Sequence, residues 1–291
     1  MFGSLRFDWV QLAFIGWMLF NLPASAEIVI LEATQDNTLY QDSLGGLSNG
    51  AGEYFFAGRT ISGSIRRGLI RFDIQGIHLP ADAVVTQARV QLHVSRTAVG
   101  GSLFSLHRVT ALWGEGASDA GSRGGAGAAA QSGDATWLHR RYPGLFWAAS
   151  GGDFDSMPSA MRLVDGVGSY DWPSTAGLLA DIQLWRLNPA ANFGWCVIGD
   201  ETDASAKRFD SRENIDPSSR PKLVIEYVIP PVCPGDQNSD GFVDPEDFPA
   251  FVDCLRGPNE ISLVPCQCSD FDADLDVDLR DFAALQRTIG K

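Results

Sequence analysis

RVQLHV (Arg89–Val94) decides the fold class, because its apolar and polar residues change places at every step. Val90, Leu92 and Val94 fall on one side of a pleated strand, and Arg89, Gln91 and His93 fall on the other. The same period returns in LVIEYVI (Leu223–Ile229), where Leu223, Ile225, Tyr227 and Ile229 share a face. RRGLIRFDI (Arg66–Ile74) and ANFGWCVIGDE (Ala191–Glu201) read as two more strands, with turn clusters such as SLGGLSNGAGE (Ser43–Glu53) between them. One stretch departs from this period: Leu178, Leu179, Ile182 and Trp185 are spaced for a helix. The reading is a mainly β chain, with a β-sandwich or jelly roll over residues 27–228. GSRGGAGAAAQSGD (Gly121–Asp134) lacks bulk for a core and is expected to be a mobile surface loop.

Working outward, the 291 residues are 45% hydrophobic, enough for a packed core, and carry a net charge of −14. That charge argues against nucleic acid as a partner, since phosphates need cations. It is unevenly spread: residues 233–291 hold 13 acidic and 4 basic residues, so −9 of the −14 lies in the last 59 positions. Four of the five cysteines, Cys233, Cys254, Cys266 and Cys268, also lie there. At the other end, a mostly apolar run from Trp9 to Leu22 is followed by Ala24-Ser25-Ala26, a small-residue cleavage site before Glu27. Residues 1–26 are therefore expected to be a signal peptide, because about 14 apolar positions fall short of the roughly 20 that span a membrane. The expected location is secreted, extracellular or cell-surface, with no membrane span after cleavage and with disulfides favoured. Cys196, alone in the large module, is expected to be a buried thiol.

Residues 229–234 form a proline-containing linker to a module of residues 235–291. Asp236, Asn238, Asp240, Asp244 and Asp247 fall at positions 1, 3, 5, 9 and 12 of a twelve-residue loop, with Gly241 at position 6 and the Phe242 carbonyl at position 7. Calcium is a hard cation that takes six to eight oxygens, and this spacing turns alternate oxygens inward around a sharp bend. A second copy runs through Asp270, Asp272, Asp274, Asp276, Asp278 and Asp281, with Leu275 in place of the glycine. Two calcium ions are expected, the second bound more weakly. Phe248, Phe251, Val252 and Leu255 then follow helical spacing, as do Phe282, Leu285 and Ile289 more sparsely. Cys266 and Cys268 are too close to pair with each other. Two connectivities remain, of which Cys254–Cys266 with Cys233–Cys268 is preferred.

Sugar binding calls for aromatic faces, since a pyranose ring stacks its apolar side on them. Trp113, Trp137, Trp147 and Trp172 are the candidates in loop-like sequence, together with Tyr142, Phe146 and Tyr170; packing within the core is the competing role. Arg59, Arg66, Arg67, Arg140 and Arg141 could meet uronate carboxylates. Arg208, Asp210, Arg212 and Glu213 read as an internal ion network. For glycoside cleavage, Glu115, Asp153, Asp155, Asp200 and Glu201 supply carboxylates, but no pair can be matched across a cleft from sequence. No catalytic residue is assigned.

ATQDNTLYQD (Ala33–Asp42), IRRGLIRFD (Ile65–Asp73), AKRFDSREN (Ala206–Asn214) and RPKLVIEY (Arg220–Tyr227) resemble the secreted bacterial DNRLRE family. The resemblance implies a β-sandwich related to carbohydrate-binding modules, some of which bind acidic polysaccharides. Residues 235–290, two loop–helix halves without an entering helix, resemble the dockerin family. That resemblance implies two calcium ions and a cohesin-like protein or cell-surface scaffold as partner. Pro245-Glu246 and Leu279-Arg280 depart from the small hydroxyl residues common at loop positions 10 and 11. The expected protein is a non-catalytic carbohydrate-binding or surface-adhesive sandwich with a calcium-dependent docking module, linked to extracellular polysaccharide degradation. The alternatives are a polysaccharide hydrolase or lyase, and a structural matrix or envelope protein.

Overall fold

A computed structural model describes residues 26–75, 79–80, 83–121, 124–229, 233, 235–238, 242–258, 260 and 264–289. The signal segment up to Ser25, the linker residues Pro230 and Pro231, and the loop residues Asp240 and Gly241 lie outside the described residues. The chain is mainly β with a small helical region at its C-terminal end. In order it forms β1 (Glu27–Tyr40), β2 (Leu47–Ser48), β3 (Tyr54–Arg59), β4 (Ile65–Phe72), β5 (Val84–Thr97), β6 (Ser102–Arg108) and β7 (Ala128–Ala129). There follow β8 (His139–Arg141), β9 (Leu145–Phe146), β10 (Ala160–Val164), β11 (Gly168–Trp172), α1 (Ala176–Leu187), β12 (Trp195–Ile198), β13 (Lys207–Asp210) and β14 (Lys222–Val228). Two short helices, α2 (Phe248–Cys254) and α3 (Leu279–Thr288), belong to the tail.

β1 joins two layers. Its first half, Glu27–Glu32, pairs antiparallel with β14, and its second half, from Ala33 to Tyr40, pairs with β4. The register shifts between Ala33 and Gln35, where the strand changes sheets. One layer contains β14, β5, β11, β13 and β3; the other contains β4, β12, β6 and β10. The strict alternation of β5 has its cause here: Val90, Leu92 and Val94 are fully buried against Phe104, Leu106 and Trp195 from the facing layer. Leu178, Ile182 and Trp185 of α1 close the same core, and the Thr175 hydroxyl caps that helix by accepting from the Leu178 amide.

A second cluster brings Trp113, Trp137 and Trp147 onto Leu39, Leu69, Val109 and Cys196. This corrects the sugar-platform expectation. Trp113, Trp137, Trp147 and Trp172 are 1%, 8%, 6% and 0% exposed, so none offers a face to a sugar ring. The indole N–H groups of Trp113, Trp147 and Trp172 donate to the carbonyls of Phe193, Thr136 and Phe104. Irregular chain here folds over its own core.

Gly121–Asp134 is also tied down where it is described. The Tyr40 hydroxyl donates to the Gly124 carbonyl at 2.6 Å, and β7 pairs with β2. Buried Asp134 accepts from the amides of Ala117 and Gln131. Small residues let the segment pack closely, a role that composition alone does not reveal. Cys196 is buried and unpaired, and burial pushes its thiol up to about 12.

The tail has its own cluster of Phe251, Cys254, Val277 and Leu285. Cys254–Cys266 and Cys233–Cys268 are the disulfides, the preferred connectivity. The apolar stripe expected on α2 is only partly buried: Phe251 points inward, while Phe248, Val252 and Leu255 are exposed.

Candidate functional site

The two acidic loops of the tail repeat each other in geometry. Asp247 is fully buried; its Oδ1 accepts from the amides of Gln237 and Asn238 at 2.6 and 3.1 Å, and its Oδ2 from Asp244 at 2.9 Å. Asp281, also fully buried, does the same with Phe271 and Asp272 at 2.7 and 3.3 Å and with Asp278 at 2.8 Å. Position 12 therefore gathers positions 2, 3 and 9 in both copies, and Asp278 caps α3. In the second loop, Asp270, Asp272 and Asp274 bring one carboxylate oxygen each within 4.8 Å of one another, and Asp276, Asp278 and Asp281 form a second such group.

The second loop bends as a glycine would bend it, with φ of 58° at Ala273 and 75° at Leu275. The Leu275 amide donates to Asp270 Oδ2 at 2.9 Å, while Asp270 Oδ1 is buried and has no partner. Burial, followed by the charges of Asp281 and Asp274, pushes the Asp270 carboxyl up to about 6, against the pull of the Leu275 amide. A crowd of carboxylates with an orphaned buried oxygen fits a hard, oxygen-seeking cation, with the exposed Arg280 guanidinium 3.5 Å from Asp274 at its edge.

The sandwich carries a different feature, a groove of about 700 Å³ whose lining includes Arg59, Arg66, Arg96, Lys207 and Arg208 and, among the described residues, no carboxylate. Strand register assembles it: Arg208 of β13 sits opposite Arg96 of β5 on one side and Phe56 of β3 on the other. Like charges directly opposite in a sheet repel, so this pairing works against the fold. The cations bind neutral oxygens: Arg59 the Glu201 carbonyl, Arg66 the Ser64 hydroxyl and Ile65 carbonyl, and Arg208 the Ser95 hydroxyl. Buried Lys207 donates to Thr97 Oγ1 and to the carbonyls of Val99 and Gly100. Burial holds its ammonium below the usual lysine range, with Asp165 pulling the other way. Tyr40 lies under the Arg66 guanidinium at 4.7 Å and Tyr54 under Arg208 at 3.8 Å, which keeps both planar groups in place.

Of the arginines singled out in the sequence, Arg59 and Arg66 belong to this groove. Arg67 does not: it is bidentate to Glu201 and lies beside Trp137 and Phe154. Arg140 donates to the Leu112 carbonyl. Arg96 and Lys207 were not legible as site residues, because only the pairing of β5 with β13 brings them together. The acids considered for catalysis are held by structural partners. Arg212 engages Glu115, Arg108 engages Asp155, and Asp153 and Asp200 accept nearby amides.

The expected ion network is smaller than its four members. Arg212 pairs with Glu115 at 2.6 Å and Glu213 at 2.7 Å, and its amide donates to buried Asp36. Asp210 pairs instead with His93 at 2.6 Å. Two carboxylates thus share one guanidinium, and a third, Asp36, is held by the backbone amide of the same residue. Burial first, then the Glu115 charge, pushes Glu213 from 4.5 up to about 7 despite Arg212. The folded chain holds this proton more tightly than the unfolded chain. The resulting stability is complete below the ordinary glutamate range and is lost as pH rises through about 7. The sandwich is expected to melt about 2–5 °C higher near pH 5 than near pH 8. Glu213→Gln should flatten that slope in calorimetric scans; an unchanged slope would assign it to other groups.

No family model matches the chain, and no curated protein matches it either.

Proposed function

We propose that this protein is a secreted, non-catalytic binder with two modules: a sandwich that holds an acidic polysaccharide in its basic groove, and a calcium-stabilised, dockerin-like tail that docks on a protein partner. One observation carries the reading. A chain of net charge −14 gathers five cations around one groove, with no carboxylate among the described lining residues, and sets Arg96 directly opposite Arg208. A sheet gains nothing from that repulsion unless an anion relieves it. A polyuronate would supply regularly spaced carboxylates for the guanidinium groups, and the apolar lining of Ile61, Ala98 and Val99 suits the C–H face of a sugar. In the tail, Asp270, Asp272, Asp274, Asp276, Asp278 and Asp281 would hold one calcium ion. Asp236, Asn238, Asp240, Phe242, Asp244 and Asp247 would hold another. Calcium would supply the positive charge that the clustered carboxylates lack. The exposed Phe248, Val252 and Leu255 on α2 offer an apolar strip to a cohesin-like or scaffold partner.

The test is calorimetric titration with a polyuronate and with a neutral glucan, followed by product analysis. Binding is expected for the polyuronate alone, weakening steeply as salt rises. Arg96→Ala with Arg208→Ala should weaken it about tenfold or more while leaving the melting temperature unchanged or higher, because a repelling pair is gone. Release of oligosaccharides would favour the hydrolase or lyase reading, and absence of binding the matrix reading.

A further inference from the structure

The strained residues of the second acidic loop coincide with the surface that faces the sandwich. Ala273 and Leu275 are the non-glycine residues at positive φ among the described residues. Glycine adopts this conformation without penalty, and the first loop has Gly241 at the equivalent bend position in sequence. Ala273 and Leu275 are also the two tail residues lining a cleft of about 410 Å³. Its other wall, on the sandwich, includes Ile74, Trp185, Leu187 and Pro189 around the end of α1. Leu187 is 72% exposed, an apolar side chain with room to be covered.

Two further features tie this position to the acidic site. The amide of Leu275 donates to Asp270, so one residue both lines the cleft that faces the sandwich and holds the first carboxylate with its backbone. Cys233 lies five residues beyond Val228, the end of β14, and its disulfide to Cys268 holds the start of the second loop near that point. At about 3.3–3.6 Å per residue, the second loop is tethered within reach of the sandwich whatever the linker does.

We propose that Leu275 replaces glycine so that the second acidic loop seats on the end of α1, coupling cation binding in the tail to docking of the tail on the sandwich. The inference rests on the calcium reading above. Closing the cleft over Leu187 and its neighbours would offset the bend strain by apolar burial, and an ion that orders Asp270 also orders the residue that docks.

The experiment uses residues 27–291 of the chain with calcium chloride or chelator, reading calcium affinity by calorimetry and backbone protection by hydrogen exchange. Calcium is expected to raise protection over residues 183–189. Leu275→Ala keeps a Cβ and therefore the bend strain, but removes the docking group; Leu187→Ser removes the opposing group without touching the loop. Each should weaken one calcium site by roughly threefold to tenfold and abolish the added protection. Wild-type affinity in both variants, with protection of 183–189 insensitive to calcium, would overturn the coupling while leaving the calcium reading intact. A wild-type chain that takes up fewer than one calcium ion would defeat the calcium reading itself, and the coupling with it.

Discussion

Chelator should unfold the tail of this protein and leave its sandwich standing. Each loop places four or more carboxylates within twelve residues, and Asp270 Oδ1 is buried without a partner. Without a cation these charges oppose the compact loop. An ion that binds only the folded form stabilises it by about 2.7 kcal/mol at a hundredfold excess over its Kd. For a module of 57 residues with four buried apolar side chains in its core cluster, that is a large share of the total. Circular dichroism should lose the signal of α2 and α3 in chelator and regain it with calcium, while near-ultraviolet tryptophan bands of the sandwich persist. Asp272→Asn is the discriminating variant. Its side chain is exposed and caps nothing, unlike Asp281, so it removes charge from the site without removing helix hydrogen bonds. A tail equally helical in chelator, with disulfides intact, would show that the cysteines and the small core suffice.

Trp172→Ala is expected to cost the sandwich about 3–5 kcal/mol, the range for emptying a large aromatic site. Trp172 ends β11 fully buried, touches the Phe209 ring and donates to the Phe104 carbonyl of the opposite layer. Truncation leaves both a cavity and a buried carbonyl without its donor. A domain stability of roughly 5–15 kcal/mol would lose about a fifth or more. The midpoint of chemical unfolding should fall sharply, and the loss of any ligand binding should track unfolding. A shift under about 1 kcal/mol would mean that this indole is not part of the core.

What the sequence disclosed and withheld follows from the distance over which each feature is written. The strands of the sandwich are legible because period two is a local property, as at Val90, Leu92 and Val94. The acidic clusters of the tail are legible for the same reason, since each lies within twelve residues. The buried tryptophans are not: Trp113, Trp137 and Trp147 sit in irregular chain with no period to betray a facing core. The basic groove is the least legible, because β3, β4, β5 and β13 contribute its cations from Arg59 to Arg208, and only their register juxtaposes them. Arg212 and Glu115 likewise meet across 97 positions.

The strand that changes sheets bears on when the chain can fold. Glu27 pairs with Tyr227, and the Tyr227 hydroxyl donates to the Glu27 carboxylate 200 residues away. The layer that contains β14 cannot complete its edge until nearly the whole module is present. Contacts at such separation are slow to form, because loop closure must precede the pairing that rewards it. A chain threaded through a translocation pore from its N-terminus would therefore keep that edge open until late. The sandwich would close only after β14 emerges.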